Sequence, residues 1–247
     1  SIPFFVVELR RPHPMIDLLT FLSPEVRAAA LGIVVTFVAL FALFSINAHF
    51  IQTARGLSPA ISGLSLVPVA LTMFFVTHAS VPLVRRFGLR MVVAAGMLIS
   101  AGGYMLVVAW STSAPLALYE VALVVVGIGA GLCSSPLSTQ LTSASMDGAR
   151  SPAASGRPAQ PSGAGLNSTL RELSSAVGVG ISGVVLALVT NHSVNAGSIS
   201  GDDVLASMHV ALTVVAVALL VALLLMVADI ALLSRRRARA VLPRLLP

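Results

Sequence analysis

Two long apolar runs meet at one short basic connection, and this arrangement limits the possible folds more than any other feature. The runs cover about residues 61–83 and 91–110, and the connection is Val84–Arg90, which contains three arginines. A helix of ~20 apolar residues, rising ~1.5 Å per residue, crosses the ~30 Å hydrocarbon core of a bilayer. The two runs therefore predict two membrane spans joined by a tight hairpin.

The composition agrees with a chain that lies mostly inside a membrane. Hydrophobic residues make up 57% of the sequence and charged residues 10%, with a mean hydropathy of +0.97, which excludes an ordinary soluble domain. The net charge of +6 comes from arginines between the apolar runs and near the C-terminus. We therefore expect no nucleic-acid partner. A single cysteine and the absence of metal-ligand spacing predict neither an internal disulfide nor a metal site.

Six apolar runs in all predict an all-α, polytopic membrane protein, a six-transmembrane-helix bundle. The predicted spans are residues 28–51, 61–83, 91–110, 116–139, 163–190 and 208–233. Residues 1–7 are expected to end an upstream transmembrane helix and residues 8–27 to form a cytoplasmic linker, so we expect the chain to be a fragment. Residues 234–247 are expected to form a basic cytoplasmic tail.

The distribution of arginines predicts how the chain is threaded. Arginines in short loops are retained on the cytoplasmic side of a membrane. They occur in the linker, in the Val84–Arg90 connection, before the fifth span and in the tail, whereas the opposite connections hold only Arg55. We therefore expect a multi-pass protein of the cell (inner) membrane with the linker and the C-terminus in the cytoplasm.

The first span carries polar residues near its predicted outer end. Ser45, His49 and Gln52 fall on one face of a helix, and Asn47 lies off that face. Polar side chains inside a membrane are costly, so each is a functional candidate. One interpretation is that the three line a cavity that binds substrate. The other is that they form an interfacial cluster among lipid headgroups.

The fourth span combines a carboxylate with small residues on one face. The pair Gly127 and Gly131 predicts that another helix approaches closely. Glu120 and Ser134 share this face with Ser138 and are further candidates for the substrate cavity. Glu120 would carry a proton or attract a cationic substrate there; alternatively, it is a solvated charge at the membrane boundary.

The fifth span opens with polar residues that continue as a stripe of small ones. The stripe is expected to face another helix or a water path, and it consists of Asn167, Arg171, Ser174, Gly178 and Ser182. Arg171 and its neighbour Glu172 point in different directions and need separate partners. The alternative places both in the cytoplasmic headgroup zone.

Four stretches together carry a family resemblance. They are Glu8–Leu18, Gln52–Pro68, Arg86–Arg90 and Gly163–Leu173. In this order and spacing they resemble the C-terminal six-helix half of a major facilitator superfamily transporter, and more narrowly the 14-span drug:proton antiporters of the EmrB/QacA type. The basic loop departs from the family's stronger motif, with Arg85 where Asp is usual.

The resemblance implies an arrangement of the spans and a set of partners. The first and fourth spans would line the cavity, the second and fifth would meet the N-terminal half of the transporter, and the sixth would face lipid. The implied partners are the lipid bilayer, that N-terminal half and a small-molecule substrate. Candidates for contact between the halves or for gating are Arg86, Gly88, Arg90, Asn167, Arg171 and Glu172.

The predicted function is therefore part of a proton-coupled multidrug efflux antiporter that exports lipophilic or cationic compounds. The energy source would be the proton gradient, without a bound cofactor. We expect no enzyme, since the sequence holds no nucleotide-binding or hydrolase motif. Two alternatives remain open: an exporter of an endogenous metabolite or self-made antibiotic, and a truncated, non-transporting membrane protein.

Overall fold

All regular structure that the computed structural model describes is helical. The described residues are 24–109, 116–149, 163–194, 205–206 and 208–224. The helices are α1 (Pro24–His49, continued by a π-helical turn, Phe50–Ala54), α2 (Pro59–Leu64), α3 (Val67–Phe87), α4 (Leu89–Val108), α5 (Leu116–Ala149), α6 (Gly163–Val194) and α7 (Met208–Leu224). Five helical stretches are long and apolar enough to cross a membrane, and α7 is a shorter apolar helix. The predicted all-α, polytopic membrane bundle is confirmed for this part of the chain.

Several helices extend beyond the predicted spans. α1 begins at Pro24, inside the predicted linker, because proline is tolerated in the first turn, where its missing N–H has no intrahelical partner. α3 continues past Pro82 to Phe87. α5 continues to Ala149, because apolarity limits how much of a helix lies in the membrane and does not limit the helix itself.

The second span is broken into α2 and α3. Ser58 caps α2, its side chain accepting a hydrogen bond from the Ile61 N–H, and Pro59 occupies the first turn. Pro68 stands in the first turn of α3 and has no N–H to continue the ladder from α2. Ser65 lies at the resulting break, where its own N–H still bonds to the Ile61 carbonyl.

The helices pack around α5. It contacts α1, α3, α4 and α6, and α1 packs closely against α6. We name the end of the bundle that carries the α3–α4 connection the arginine end, and the end that carries the α1–α2 connection the far end. Gly32 of α1 meets Leu137 near the arginine end, whereas Asn47 meets Tyr119 near the far end, so α1 and α5 are antiparallel.

Glycines let α5 approach two neighbours on different faces. A Cβ added at Gly127 would lie 3.0 Å from the Val69 carbonyl oxygen, and one at Gly131 would lie 3.0 Å from Cβ of Val76. The predicted close approach of another helix at this pair is therefore confirmed, and the helix is α3. On another face, a Cβ at Gly96 of α4 would lie 2.9 Å from the Gly129 carbonyl oxygen. Such contacts matter because dispersion and hydrogen bonds, more than water exclusion, hold membrane helices together.

α7 buries one side and exposes the other. Its buried residues recur every three or four positions, as in Met208, Leu212 and Leu219, whereas Val210 and Val217 are each 52% exposed. This pattern fits a helix that faces the bundle on one side and lipid on the other. The predictions for residues 1–23, Trp110, residues 150–162 and residues 225–247 lie outside the described residues.

Candidate substrate-facing surface

Four helices follow one another in the order α3, α5, α1, α6. α5 contacts α3 and α1 and separates them, and α1 in turn contacts α6. The two outer helices of this row are the least covered: only 17% of the most apolar window of the span Pro59–Phe87 is buried, and the same share for Ala164–Leu188. In α1 and α5 the corresponding share is 61%. The row therefore presents a surface that the described residues leave open, chiefly on α3 and α6.

The structure places the three α1 candidates on the less buried side of that helix. Ser45 is half-buried, and His49 and Gln52 are exposed. Gln52 lies within the π-helical turn, whose wider winding shifts it from the regular helical spacing on which the sequence analysis relied. Asn47 points away from them and is fully buried.

His49 also borders a small cavity between three helices near the far end. The other lining residues are Ile46, Ser182, Val185, Leu186, Met208 and Ala211. The Ser182 hydroxyl donates to the carbonyl of Val179 at 2.7 Å within its own helix. The cavity is thus lined mostly by apolar residues, with His49 and Ser182 as the polar ones.

On α5 the two cavity candidates occupy different environments. Glu120 is half-buried near the far end. Ser134 is buried, and its hydroxyl donates to the carbonyl of Ala130 at 2.7 Å, one turn earlier in the same helix. Its neighbour Ser135 is half-buried. Glu120 is thus the more accessible of the two candidates.

The start of α6 is linked to its neighbours by two polar contacts. The Ser138 hydroxyl of α5 donates to Oδ1 of Asn167 at 3.2 Å. The guanidinium carbon of Arg171 lies 4.4 Å from the centroid of the Phe37 ring of α1, a distance at which a cation is attracted to the ring face. Arg171 and Glu172 are both exposed. Asn167 and Arg171 therefore tie α6 to α5 and α1, respectively, at the arginine end.

The connection between α3 and α4 is one residue long and depends on glycine. Gly88 has φ of 85°, a conformation that L-residues rarely adopt, and its N–H closes the last turn of α3 on the Val84 carbonyl. Arg86 and Arg90 on either side are exposed. The guanidinium of Arg86 lies 5.4 Å from the ring centroid of Phe87.

A buried polar cluster near the far end was not predicted as a unit. Asn47 donates through Nδ2 to Ser65 Oγ at 2.9 Å and accepts from the Tyr119 hydroxyl at 2.8 Å. The partners lie 18 and 72 residues away in the chain, so helical periodicity could not join them. The available signal was the presence of an asparagine and a tyrosine inside predicted spans.

Exposed rings stand on the open side of α3. Phe74 and Phe75 are 59% and 65% exposed. His78, also exposed, contacts Phe74 with ring centroids 4.7 Å apart and the ring planes inclined by 54°, and its Nδ1 lies 2.8 Å from the Phe74 carbonyl oxygen. Within the described ranges, no group of three or more His, Cys, Asp or Glu side chains could hold a metal ion.

Known proteins give a partial match. No family model matches the chain. Over 186 residues, or 74% of the chain, it is 29% identical to the Multidrug resistance protein Stp of Mycobacterium tuberculosis, in two strains. The aligned part is 32% of those proteins, so the chain spans about a third of the length of the curated relatives it matches.

Proposed function

We propose that this chain is the C-terminal half of a major facilitator-type transporter that exports lipophilic or cationic compounds in exchange for protons. The similarity to a multidrug resistance protein over most of the chain is the observation that carries the proposal. The chain spans about a third of the length of these relatives, as a part of a larger transporter would. The antiporter subtype, the proton coupling and the substrate class belong to the proposal.

The arrangement of the helices supports this function. In such transporters two halves enclose a substrate site near the bilayer midplane and rock against each other. Here the helices at the two ends of the row, α3 and α6, leave long apolar faces uncovered, as expected where a second half would pack. α1 and α5, between them, carry the accessible polar candidates Ser45, Gln52 and Glu120.

The chemistry of this surface favours lipophilic substrates. Between the arginine end and the far end of the bundle, accessible charge on this surface is confined to a few groups, and exposed side chains such as Leu71 and Phe74 are apolar. Apolar pockets with a small number of polar groups bind amphipathic molecules and orient them. Glu120 is proposed to attract the positive charge of a cationic substrate. The groups that carry the coupled proton are proposed to lie partly in the rest of the protein.

The proposed setting is the cell membrane, with the α3–α4 connection in the cytoplasm. Arg85, Arg86 and Arg90 are all exposed there, as the retention of arginines on the cytoplasmic side requires. The connection would then move with the bundle at the cytoplasmic mouth of the transporter.

Accumulation of fluorescent dyes in cells that express the full-length protein tests the proposal. We expect cells with the protein to hold less of a lipophilic cationic dye than cells with an empty vector, and the difference to disappear when a protonophore is added. Equal accumulation across a panel of cationic and neutral dyes would contradict the proposal. Export confined to a metabolite of the producing cell would favour the endogenous-metabolite alternative.

A further inference from the structure

We infer that Asn47, Ser65 and Tyr119 form a clamp that positions the far end of α1 relative to α3 and α5. This far-end clamp rests on the proposed function only where it concerns transport. Its geometry stands on the hydrogen bonds and burial of the three side chains. Each of them is at least 96% buried: Asn47 is 0%, Ser65 4% and Tyr119 1% exposed.

The hydrogen bonds of the clamp run in one direction. The Tyr119 hydroxyl donates to Asn47 Oδ1, Asn47 Nδ2 donates to Ser65 Oγ, and the Ser65 hydroxyl donates to the Ser62 carbonyl at 2.8 Å. Because the Ser65 hydroxyl donates its hydrogen to that carbonyl, the Ser65 oxygen can only accept from Asn47. In the Asn47 amide the nitrogen is the donor and the oxygen cannot donate, so the nitrogen must face Ser65. The network therefore fixes the orientation of the amide.

The clamp acts at the points where backbone regularity is weakest. Ser65 lies at the break between α2 and α3, where Pro68 lacks the N–H that would continue the hydrogen-bond ladder. Asn47 lies in the last α-helical turn before the π-helical turn Phe50–Ala54. The clamp joins both irregular segments to Tyr119, which lies in the regular first turns of α5.

Aromatic packing surrounds the clamp and adds to its rigidity. The ring of Phe50, 2% exposed, lies 5.5 Å from the ring of Tyr119 between centroids. The guanidinium of Arg55 lies 5.5 Å from the centroid of the Phe50 ring. Water is thereby kept from the hydrogen bonds, and a broken bond cannot be replaced by one to solvent.

The clamp matters for function because its members are neighbours of the candidate substrate contacts. Tyr119 directly precedes Glu120, and Asn47 lies between Ser45 and His49. Holding the Asn47 amide to Tyr119 therefore sets the spacing between the polar face of α1 and the carboxylate of α5. Asn47, Ser65 and Tyr119 are thus positioning residues, which act through the side chains beside them.

Thiol alkylation measures whether the clamp holds. The full-length protein, with its native cysteines replaced, carries Ser62→Cys as a reporter, because Ser62 is 3% exposed and lies in α2, one turn before the break. Tyr119→Phe removes one hydroxyl, and a typical hydrogen bond between membrane helices corresponds to about threefold in an equilibrium. We expect Tyr119→Phe to raise the alkylation rate about threefold. The matched control is Tyr104→Phe, since Tyr104 is also 1% exposed but lies on α4, outside the clamp. Equal rates in the two variants would overturn the inference.

Transport kinetics separate positioning from simple stabilisation. In the double variant Asn47→Leu with Tyr119→Phe, no unpaired amide remains opposite Tyr119, so thermal stability should recover relative to Tyr119→Phe alone. A positioning role predicts that the KM for a transported dye is raised in Tyr119→Phe and stays raised in the double variant. Recovery of KM together with stability would overturn it. If the unmodified protein moves no dye, the proposed function fails, and the alkylation rates still decide whether the clamp exists.

Discussion

Replacing Gly178 by alanine should separate α6 from α1, because this glycine lies directly against the backbone of α1. A Cβ at position 178 would lie 2.5 Å from the Val38 carbonyl oxygen and 3.1 Å from the Ala42 nitrogen. Ordinary contacts begin at 3.4 Å, so the two helices must move apart by most of an ångström. Both of these atoms belong to the backbone of α1, so no change of side-chain rotamer can relieve the clash.

The expected cost follows from the loss of close packing along this pair of helices. A radial gap of about 0.5–1 Å forfeits a quarter to a half of the dispersion energy of the atoms concerned. Overpacked substitutions in tight interiors cost about 1–3 kcal/mol. We therefore expect Gly178→Ala to lower the free energy of unfolding by about 1–3 kcal/mol.

Titration of the purified full-length protein with sodium dodecyl sulfate measures this difference as a shift of the unfolding midpoint. Gly102 on α4 is the matched control, because no atom lies within 4 Å of a Cβ built there and α4 lies outside the row of helices that the second half would cover. Alanine there should be neutral or slightly stabilising, as it favours the helix over glycine. If Gly178→Ala is no more destabilising than Gly102→Ala, the described packing of α6 on α1 is wrong.

Three further features of the structure are tested by separate sets of substitutions. Phe37→Leu should cost about 0.5–1 kcal/mol beyond the loss of ring packing, because it removes the cation–π contact with the exposed Arg171; in Arg171→Gln, which already lacks the cation, the same change should cost less in the detergent titration. Ser138→Ala and Asn167→Ala remove the same hydrogen bond, so their effects on the unfolding midpoint should be less than additive, with a coupling of about 0.6 kcal/mol; strict additivity would refute the bond. Gly88→Ala should cost about 1–3 kcal/mol because φ of 85° with ψ of 150° is a region that only glycine adopts readily, whereas Gly102→Ala, in open space within α4, should not; equal midpoints would contradict the described turn.

The sequence was sufficient to predict the class of fold because apolar run length alone decides whether a helix can cross a bilayer. It also predicted the close approach at Gly127 and Gly131, since small residues four apart leave a groove on a helix. It did not indicate that Gly96 and Gly129 form a second such contact. Periodicity shows which residues share a face and cannot tell which helix lies opposite.

The candidate site was predictable only in part, because helical periodicity does not tell which residues of other helices lie opposite a face. The stripe that contains Asn167 and Arg171 was expected to meet another helix, and the structure adds the contacts with Ser138 and Phe37. Helical spacing places Asn47 off the face of Ser45 and His49 and assigns it no partner. Its partners come from distant parts of the chain, and only packing of the whole bundle brings them together.

Proteoliposomes that contain the full-length protein test the central claim most directly. An imposed pH gradient, acidic on the side to which substrate is exported, should drive accumulation of a lipophilic cationic dye against its own gradient and an opposite flow of protons. Both movements should be lost in vesicles without protein and should stop when the pH gradient is dissipated. Dye movement that ignores the pH gradient, or no movement in any vesicle, would contradict the proposal of proton-coupled export.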